Sequence, residues 1–120
     1  MGTFAYPIEV GPLSGDRWDQ LDALVDTGAT YTWIPRPLLD RLGIVPSDRR
    51  TLRLANGQII ERDAGPVLVR LEGRTVATTC IFGDPGSMAL LGAVTLEESA
   101  FAPDPIHKRL IPITALLASL

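Results

Sequence analysis

The sequence predicts an all-β domain, folded as a small barrel or sandwich, with one or two short helices. Eight or nine short segments have the alternating or β-branched composition of strands, whereas only two favour helices. Eleven glycines and ten prolines are spread along the chain, as expected where many turns join short strands. Because 120 residues suffice for one hydrophobic core but not for two, we expect a single domain over residues 1–120.

The first part of the chain is predicted to contain three strands and a helix. The strands are expected at residues 3–10, 18–26 and 31–35, and the helix, of about two turns, at 36–44. Pro37 near the start of the helical segment and Gly43 at its end are typical helix boundaries. Pro7 favours an edge position for the first strand, since proline cannot donate to a sheet ladder.

Two hairpins are predicted in the middle of the chain. In residues 50–65, two alternating runs flank Asn56-Gly57, a dipeptide that favours a two-residue type I′ turn because both residues tolerate positive φ. Residues 66–83 are expected to form a second hairpin that turns near Gly73. The remainder is predicted as a loop at 84–87, a strand at 88–92, a helix at 93–99, a turn at 101–105 and, over 107–117, a strand ending in a helical turn.

Composition and charge exclude several classes of function. A net charge of −3 and a pI near 5.0 give no electrostatic footprint for nucleic acid. The densest basic cluster, Arg49, Arg50 and Arg53, is expected to be solvated surface, with an anionic ligand site as the alternative. The N-terminus has no signal-peptide pattern and no apolar stretch is long enough to span a bilayer, so we expect a cytoplasmic protein without a membrane partner.

The single cysteine, Cys80, allows no disulfide within the chain. It lies in TVATTCIFG, where a buried strand thiol is expected rather than a nucleophile. A catalytic thiol would need a partner base, and the only histidine, His107, is in a turn-like segment.

The segment ALVDTGATYTW, residues 23–33, is the candidate catalytic sequence. It is either a plain turn between two strands or a turn that presents Asp26. The apolar run before Asp26 places the carboxylate at the end of a core strand, where partial desolvation would suit it to proton transfer. Gly28 permits a sharp turn, Ala29 leaves little space beside it, and Thr27 adds a hydroxyl that can donate or accept a hydrogen bond.

LVDTGAT resembles the active-site loop of the retropepsin-like aspartic proteases, in which two apolar residues precede Asp-Thr/Ser-Gly and Ala follows. ALLG at 89–92 resembles that family's second signature, a short strand that passes the Asp loop and is followed by a short helix. Leu90, Leu91 and Gly92 would support the site. The resemblance covers residues 3–114 in order and is strongest to the small single-domain bacterial and archaeal members.

The resemblance implies an acid-protease barrel with one lobe per chain, active as a two-fold homodimer. Two aspartates would share a proton and activate a water for hydrolysis of a peptide bond, with no covalent intermediate, metal or cofactor. The chain has one such loop, and Asp84 in FGDPGS does not fit the pattern. The second catalytic aspartate would therefore be Asp26 of another copy, and Thr27 would hydrogen-bond across the axis.

The resemblance also places a flap at the first hairpin. The flap or substrate-binding residues would be Leu54, Ala55, Asn56, Gly57, Gln58 and Ile59. An ordinary hairpin without a lid role is the alternative, and Leu54 and Ile59 could line substrate pockets or pack beneath the hairpin. The flap has fewer glycines than retroviral flaps and is expected to be stiffer.

Three positions depart from the retroviral pattern. Retroviral members carry acidic residues shortly after the Ala and an Arg after the second Gly, whereas this chain has Thr30, Tyr31 and Ala93. Retroviral substrate preference and dimer salt bridges therefore do not transfer to this chain.

The sequence thus predicts an aspartic endopeptidase acting on an extended peptide or protein. The alternative is a catalytically weak or silent retropepsin-like dimer that binds peptides or proteins, although an intact Asp-Thr-Gly argues against it. A glycosidase with paired carboxylates lacks a second acid at a defined position.

Overall fold

The computed structural model describes residues 3–114, which form nine strands and two short helices. The elements are β1 (Ala5–Gly11), β2 (Asp19–Val25), β3 (Thr32–Pro35), α1 (Arg36–Arg41), β4 (Asp48–Arg53), β5 (Ile59–Leu71), β6 (Arg74–Gly83), β7 (Leu90–Leu91), α2 (Ala93–Ser99), β8 (Phe101–Asp104) and β9 (Arg109–Pro112). The predicted all-β class with two short helices is confirmed.

Seven strands form one sheet that closes into a barrel. Their order is β1-β2-β7-β3-β6-β5-β4, and β1 also pairs with β5, which closes the ring. The β2–β7 and β3–β6 pairs are parallel, and the other pairs are antiparallel. In this sheet β4 lies outside the ring and pairs with β5, while β8 and β9 form a separate two-stranded sheet.

The core follows the period of two that strands impose, because alternate side chains point to the same face. Val67, Val69 and Leu71 of β5 are almost completely buried, whereas Leu68 and Arg70 between them are only half-buried. Each strand of the closed barrel therefore contributes one apolar face to a shared interior.

The turn of the first hairpin differs from the predicted type I′ turn. The Gly57 N–H donates to the Leu54 carbonyl at 2.9 Å, and the Leu54 N–H donates to the Gln58 carbonyl at 2.8 Å. Gly57 has a φ of 87°, but Asn56 does not have the positive φ that a type I′ turn requires. The prediction is wrong because the loop has three residues, closed by a left-handed glycine, rather than two.

The second hairpin turns where it was predicted, and its turn has the type I′ signature. Glu72 and Gly73 have φ values of 48° and 77°, and Leu71 pairs directly with Arg74.

The predicted break between the two hairpins is absent, because β5 continues from Ile59 to Leu71. Along one side, β5 pairs with β4 up to Ala64 and with β1 from Leu68 onwards. Pro66 lies in the interval between these pairings, where its missing N–H leaves no ladder bond unmade. Pro66 is therefore tolerated inside a strand.

The predicted turn at 101–105 is also wrong, since β8 runs to Asp104 and pairs with β9. The turn follows at 105–108, where Lys108 has a φ of 53°. The last predicted strand is confirmed over Arg109–Pro112, and the helical turn expected at its end lies outside the described residues. Helix α1 ends at Arg41, earlier than predicted.

Candidate active site

The backbone fixes Asp26 at the carboxyl end of β2. The two preceding residues pair in parallel with β7, and the Asp26 N–H donates to the Leu91 carbonyl at 3.0 Å. The Gly28 N–H donates to Asp26 Oδ1 at 2.9 Å, and the Ala29 N–H donates to the Asp26 carbonyl at 3.1 Å. The half-buried carboxylate therefore projects from a tight turn whose position is set by the barrel.

The segment after β7 holds the other side of this turn. The Ala93 N–H donates to the Ala29 carbonyl at 2.8 Å, and the Val94 N–H donates to the Thr30 carbonyl at 3.0 Å. A Cβ on Gly92 would lie 2.5 Å from the carbonyl carbon and oxygen of Tyr31. Only glycine allows this approach, so the start of α2 is joined directly to the Asp26 loop.

A buried hydroxyl cluster lies behind the loop and was not predicted. Thr95 Oγ1 is 2.7 Å from Thr32 Oγ1 and 3.0 Å from Thr78 Oγ1, and all three side chains are buried. Thr32 Oγ1 also accepts a hydrogen bond from the Gly92 N–H at 3.1 Å. These bonds satisfy polar groups that would be costly to bury alone. The sequence signal that could have pointed to this cluster is a threonine in each of three predicted elements: the strand at 31–35, the second hairpin and the helix at 93–99.

Asp26 opens into a pocket of about 380 Å³. Its lining residues are Thr3, Val25, Asp26, Thr27, Gly28, Pro103 and Pro105. Thr27 and Gly28 are exposed at its rim. The structure therefore brings the predicted loop together with the β8–β9 sheet, whose prolines the sequence did not mark as site residues.

The predicted flap residues form the end of the β4–β5 hairpin. We call β4, the turn at 54–58 and residues 59–64 of β5 the flap hairpin. Leu54 is half-buried, whereas the residues from Ala55 to Gln58 are exposed and Ile59 is 51% exposed. Ile59 therefore does not pack beneath the hairpin, and the role of these residues as a flap stays a prediction.

The environments of Cys80, Trp33 and the basic cluster are explained by the fold. Burial raises the pKa of the Cys80 thiol to about 12, as expected for a strand thiol rather than a nucleophile. Trp33 is half-buried on β3, where it pairs with Leu90 of β7. Within the basic cluster, Arg49 lies near Glu61 and Asp63 and Arg50 contacts Asp48, so acidic partners balance these charges at the surface.

Residues 3–114 contain neither a metal-binding cluster nor a helix that could span a membrane. No group of three or more His, Cys, Asp or Glu side chains there is arranged to hold a metal ion. No helix in this range has the length and apolar character required to cross a membrane.

A family model described as "gag-polyprotein putative aspartyl protease" matches residues 17–98, which include the Asp26 loop, the flap hairpin and β7. The chain belongs to this family. The resemblance to retropepsin-like aspartic proteases is thereby confirmed, and family membership supports a peptidase function for the chain. Pro103, Pro105 and the β8–β9 sheet lie beyond the matched residues.

Solved structures of two viral proteases have a similar fold. The protease of EIAV, in complex with the inhibitor HBY-793, matches with a TM-score of 0.60 at 20% identity, over 80% of this chain and 86% of its own. The solution structure of the simian foamy virus (mac) protease matches with a TM-score of 0.52 at 22% identity, over 77% of this chain and 92% of its own. The predicted acid-protease barrel is confirmed. A search of curated proteins found no match to this chain.

Proposed function

We propose that the chain is an aspartic endopeptidase whose catalytic group is a pair of Asp26 carboxylates, one from each subunit of a homodimer. The observation that carries this proposal is the Asp26 turn itself. A half-buried carboxylate at the end of a core strand is fixed by backbone hydrogen bonds and opens into a pocket, in a chain of an aspartyl protease family. No metal or cofactor is needed for this chemistry.

The reaction divides acid and base roles between the two carboxylates. One carboxylate takes a proton from a water molecule as the water oxygen attacks the scissile carbonyl carbon. The other, protonated, carboxyl donates its proton to the carbonyl oxygen, which gives a neutral tetrahedral intermediate. When the C–N bond breaks, one carboxyl gives its proton to the leaving nitrogen, and the other carboxylate takes a proton from a hydroxyl of the intermediate, which becomes the product carboxyl group. Each cycle therefore begins and ends with one proton shared by the two aspartates.

Two observations support a homodimer. The sequence contains one Asp-Thr-Gly loop, so a second aspartate must come from another chain. The β8–β9 sheet, which borders the Asp26 pocket through Pro103, exposes Ile106, Ile111 and Ile113. A second copy packed against these isoleucines around a two-fold axis would cover them and bring the two Asp26 loops together.

The substrate would be an extended peptide or protein segment held between the Asp26 loops and the two flap hairpins. The exposed Ile59 and the half-buried Leu54 offer apolar surface near the tip of each hairpin. We therefore expect apolar side chains on both sides of the cleaved bond. Thr27, exposed beside Asp26, would hydrogen-bond across the axis and fix the two loops relative to each other.

The proposal is tested by incubating a diverse peptide library with the wild type and with Asp26→Asn, from about pH 3 to about pH 8, and by identifying products with mass spectrometry. We expect cleavage by the wild type alone, greatest at acidic to mildly acidic pH, where the pair holds one proton. The variant should keep the wild-type circular dichroism spectrum, because asparagine is isosteric with aspartate.

Cleavage that persists in Asp26→Asn, or wild-type cleavage that is still rising at about pH 8 and so has its optimum above that pH, would contradict an aspartate pair. A confirmed dimer that binds library peptides without cutting them would instead support the peptide-binding module.

A further inference from the structure

The short strand β3 leaves the Asp26 loop and is flanked by two residues that contact the flap hairpin. Tyr31 directly precedes β3, and Arg36 directly follows it as the first residue of α1. Tyr31 contacts β4 and Arg36 contacts β5, so each strand of the hairpin is held by one end of β3.

The contact at the start of β3 joins Tyr31 to Arg50 of β4. Arg50 Nη1 donates a hydrogen bond to the Tyr31 hydroxyl at 2.6 Å, and the guanidinium carbon lies 5.2 Å from the centre of the Tyr31 ring. Arg50 Nε also donates to Asp48 Oδ2 at 2.7 Å, which orients the guanidinium group. A charged donor that meets both the hydroxyl and the ring face of one tyrosine makes a directional contact.

The contact at the end of β3 joins Arg36 to Asp63 of β5. The Arg36 guanidinium forms an ion pair with Asp63 and lies 4.9 Å from the centre of the Phe82 ring, which belongs to the barrel core. Arg49 of β4 also donates to Asp63, at 2.9 Å. The two arginines hold the pKa of the Asp63 carboxyl below its usual range, with Arg36 contributing the most.

The backbone at Tyr31 is held against the segment that follows β7 by close packing and hydrogen bonds next to the Asp26 loop. The Tyr31 carbonyl packs against Gly92 too closely for any Cβ, and the Thr30 carbonyl accepts the Val94 N–H. In contrast, β4 lies outside the closed barrel and pairs with β5 in the sheet. The Tyr31 side chain therefore supplies a contact that the sheet ladder does not give this edge strand.

We propose that Tyr31 and Arg50 form a positioning pair, supported by Arg36 and Asp63, that fixes the flap hairpin relative to the catalytic loop. Neither Tyr31 nor Arg50 takes part in the chemical step. Their role is to set how far the hairpin opens from the site. The functional consequence rests on the proposed peptidase activity, whereas the positioning itself does not.

The test is a distance measurement within one chain. Nitroxide labels are attached at Asn56→Cys, on the exposed turn, and Glu98→Cys, on the exposed face of α2, and labelled chains are diluted with unlabelled ones. Cys80 is buried with a raised thiol pKa, so it does not compete for the label. Double electron–electron resonance then gives the distribution of distances between the hairpin turn and the helix next to the Asp26 loop.

We expect a narrow distribution in the otherwise wild-type chain. Tyr31→Phe removes the hydroxyl but keeps the ring, and it should raise the population of longer distances roughly fivefold. Arg50→Gln should have at least the same effect, and the double variant should change little beyond Arg50→Gln, because both changes remove one interaction.

Arg53→Gln is the matched control. Arg53 is an exposed arginine of the same strand, and its hydrogen bond goes to Gly57 within the hairpin itself. This variant should leave the distance distribution unchanged. Unaltered distributions in both Tyr31→Phe and Arg50→Gln, or an equal change in Arg53→Gln, would overturn the proposal. Because no substrate is required, the distances test the positioning pair even if the wild type cleaves nothing.

Discussion

At the scale of single residues, the position of Asp26 depends on a neighbour without a side chain. Gly92 lies where β7 meets α2. The Tyr31 carbonyl occupies the space that a Cβ on this residue would need. The same residue donates its N–H to Thr32 in the buried hydroxyl cluster. The Asp26 carboxylate is thus placed by a backbone-to-backbone contact between segments far apart in the chain.

Gly92→Ala should therefore destabilise the fold and displace the Asp26 loop. The new methyl group would lie 2.5 Å from Tyr31 backbone atoms, which cannot move as a flexible side chain would. We expect a loss of about 2 kcal/mol or more in the free energy of unfolding, measured by urea denaturation.

Gly73→Ala is the control for this substitution. Gly73 also has a constrained backbone, with a φ of 77°, but a Cβ there would meet nothing within 4 Å. Its cost should be limited to about 1 kcal/mol of backbone strain. Equal losses in the free energy of unfolding for the two variants would show that the close approach of Gly92 to Tyr31 is not the cause of the destabilisation.

The sequence predicted Asp26, its loop and the ALLG segment as parts of the candidate site, because each is a local pattern of consecutive residues. It could not identify the contact between Gly92 and Tyr31 or the Thr32–Thr95 hydrogen bond, since these join residues about 60 positions apart. Such pairs are defined only once the strands have a register.

At the scale of elements, the β8–β9 sheet is organised by one acidic residue. Asp104 Oδ2 lies 2.7 Å from His107 Nδ1 and accepts a hydrogen bond from Arg109 Nε at 3.1 Å. Asp104 Oδ1 accepts the backbone N–H groups of Ile106 and His107 at 3.2 and 3.3 Å. These bonds, with His107 the largest contributor, lower the pKa of the Asp104 carboxyl to about 2.

Asp104→Asn should therefore destabilise the protein in a pH-dependent way. The folded-state pKa lies below the usual carboxyl value, so the ionised group stabilises the fold above about pH 4, and this contribution is lost as the pH falls towards 2. In urea unfolding, the difference between wild type and variant should shrink between about pH 5 and about pH 2. A difference that stays constant over this range would contradict a role for the charge.

Element boundaries were predicted well where a turn has a local sequence signature. They were predicted poorly where the pairing of strands sets the boundary. The Glu72-Gly73 turn and the start of α1 follow from local residue types. Asn56-Gly57 forms a longer turn than predicted, because register with β5 sets the loop length. The break predicted between residues 65 and 66 is absent, because β5 continues through this point and changes partners there.

At the scale of the whole molecule, strand number and turn frequency predicted a barrel or a sandwich, and the barrel itself was predicted from the resemblance of LVDTGAT and ALLG to the retropepsin-like proteases. The assembly could not be predicted in the same way, since the sequence of one chain does not specify which surface meets a partner. We propose the β8–β9 sheet, with its exposed isoleucines beside the Asp26 pocket, as that surface. The central claim is that one active site requires Asp26 from two chains.

Subunit mixing is the measurement that tests this claim most directly. Wild type and Asp26→Asn are combined at fixed total concentration, allowed to exchange subunits, and assayed for peptide cleavage. If each site needs both aspartates, activity follows the square of the wild-type fraction, so an equal mixture retains about a quarter of the wild-type activity. Activity that falls linearly, to about half in the equal mixture, would show that one Asp26 suffices and would contradict the shared site.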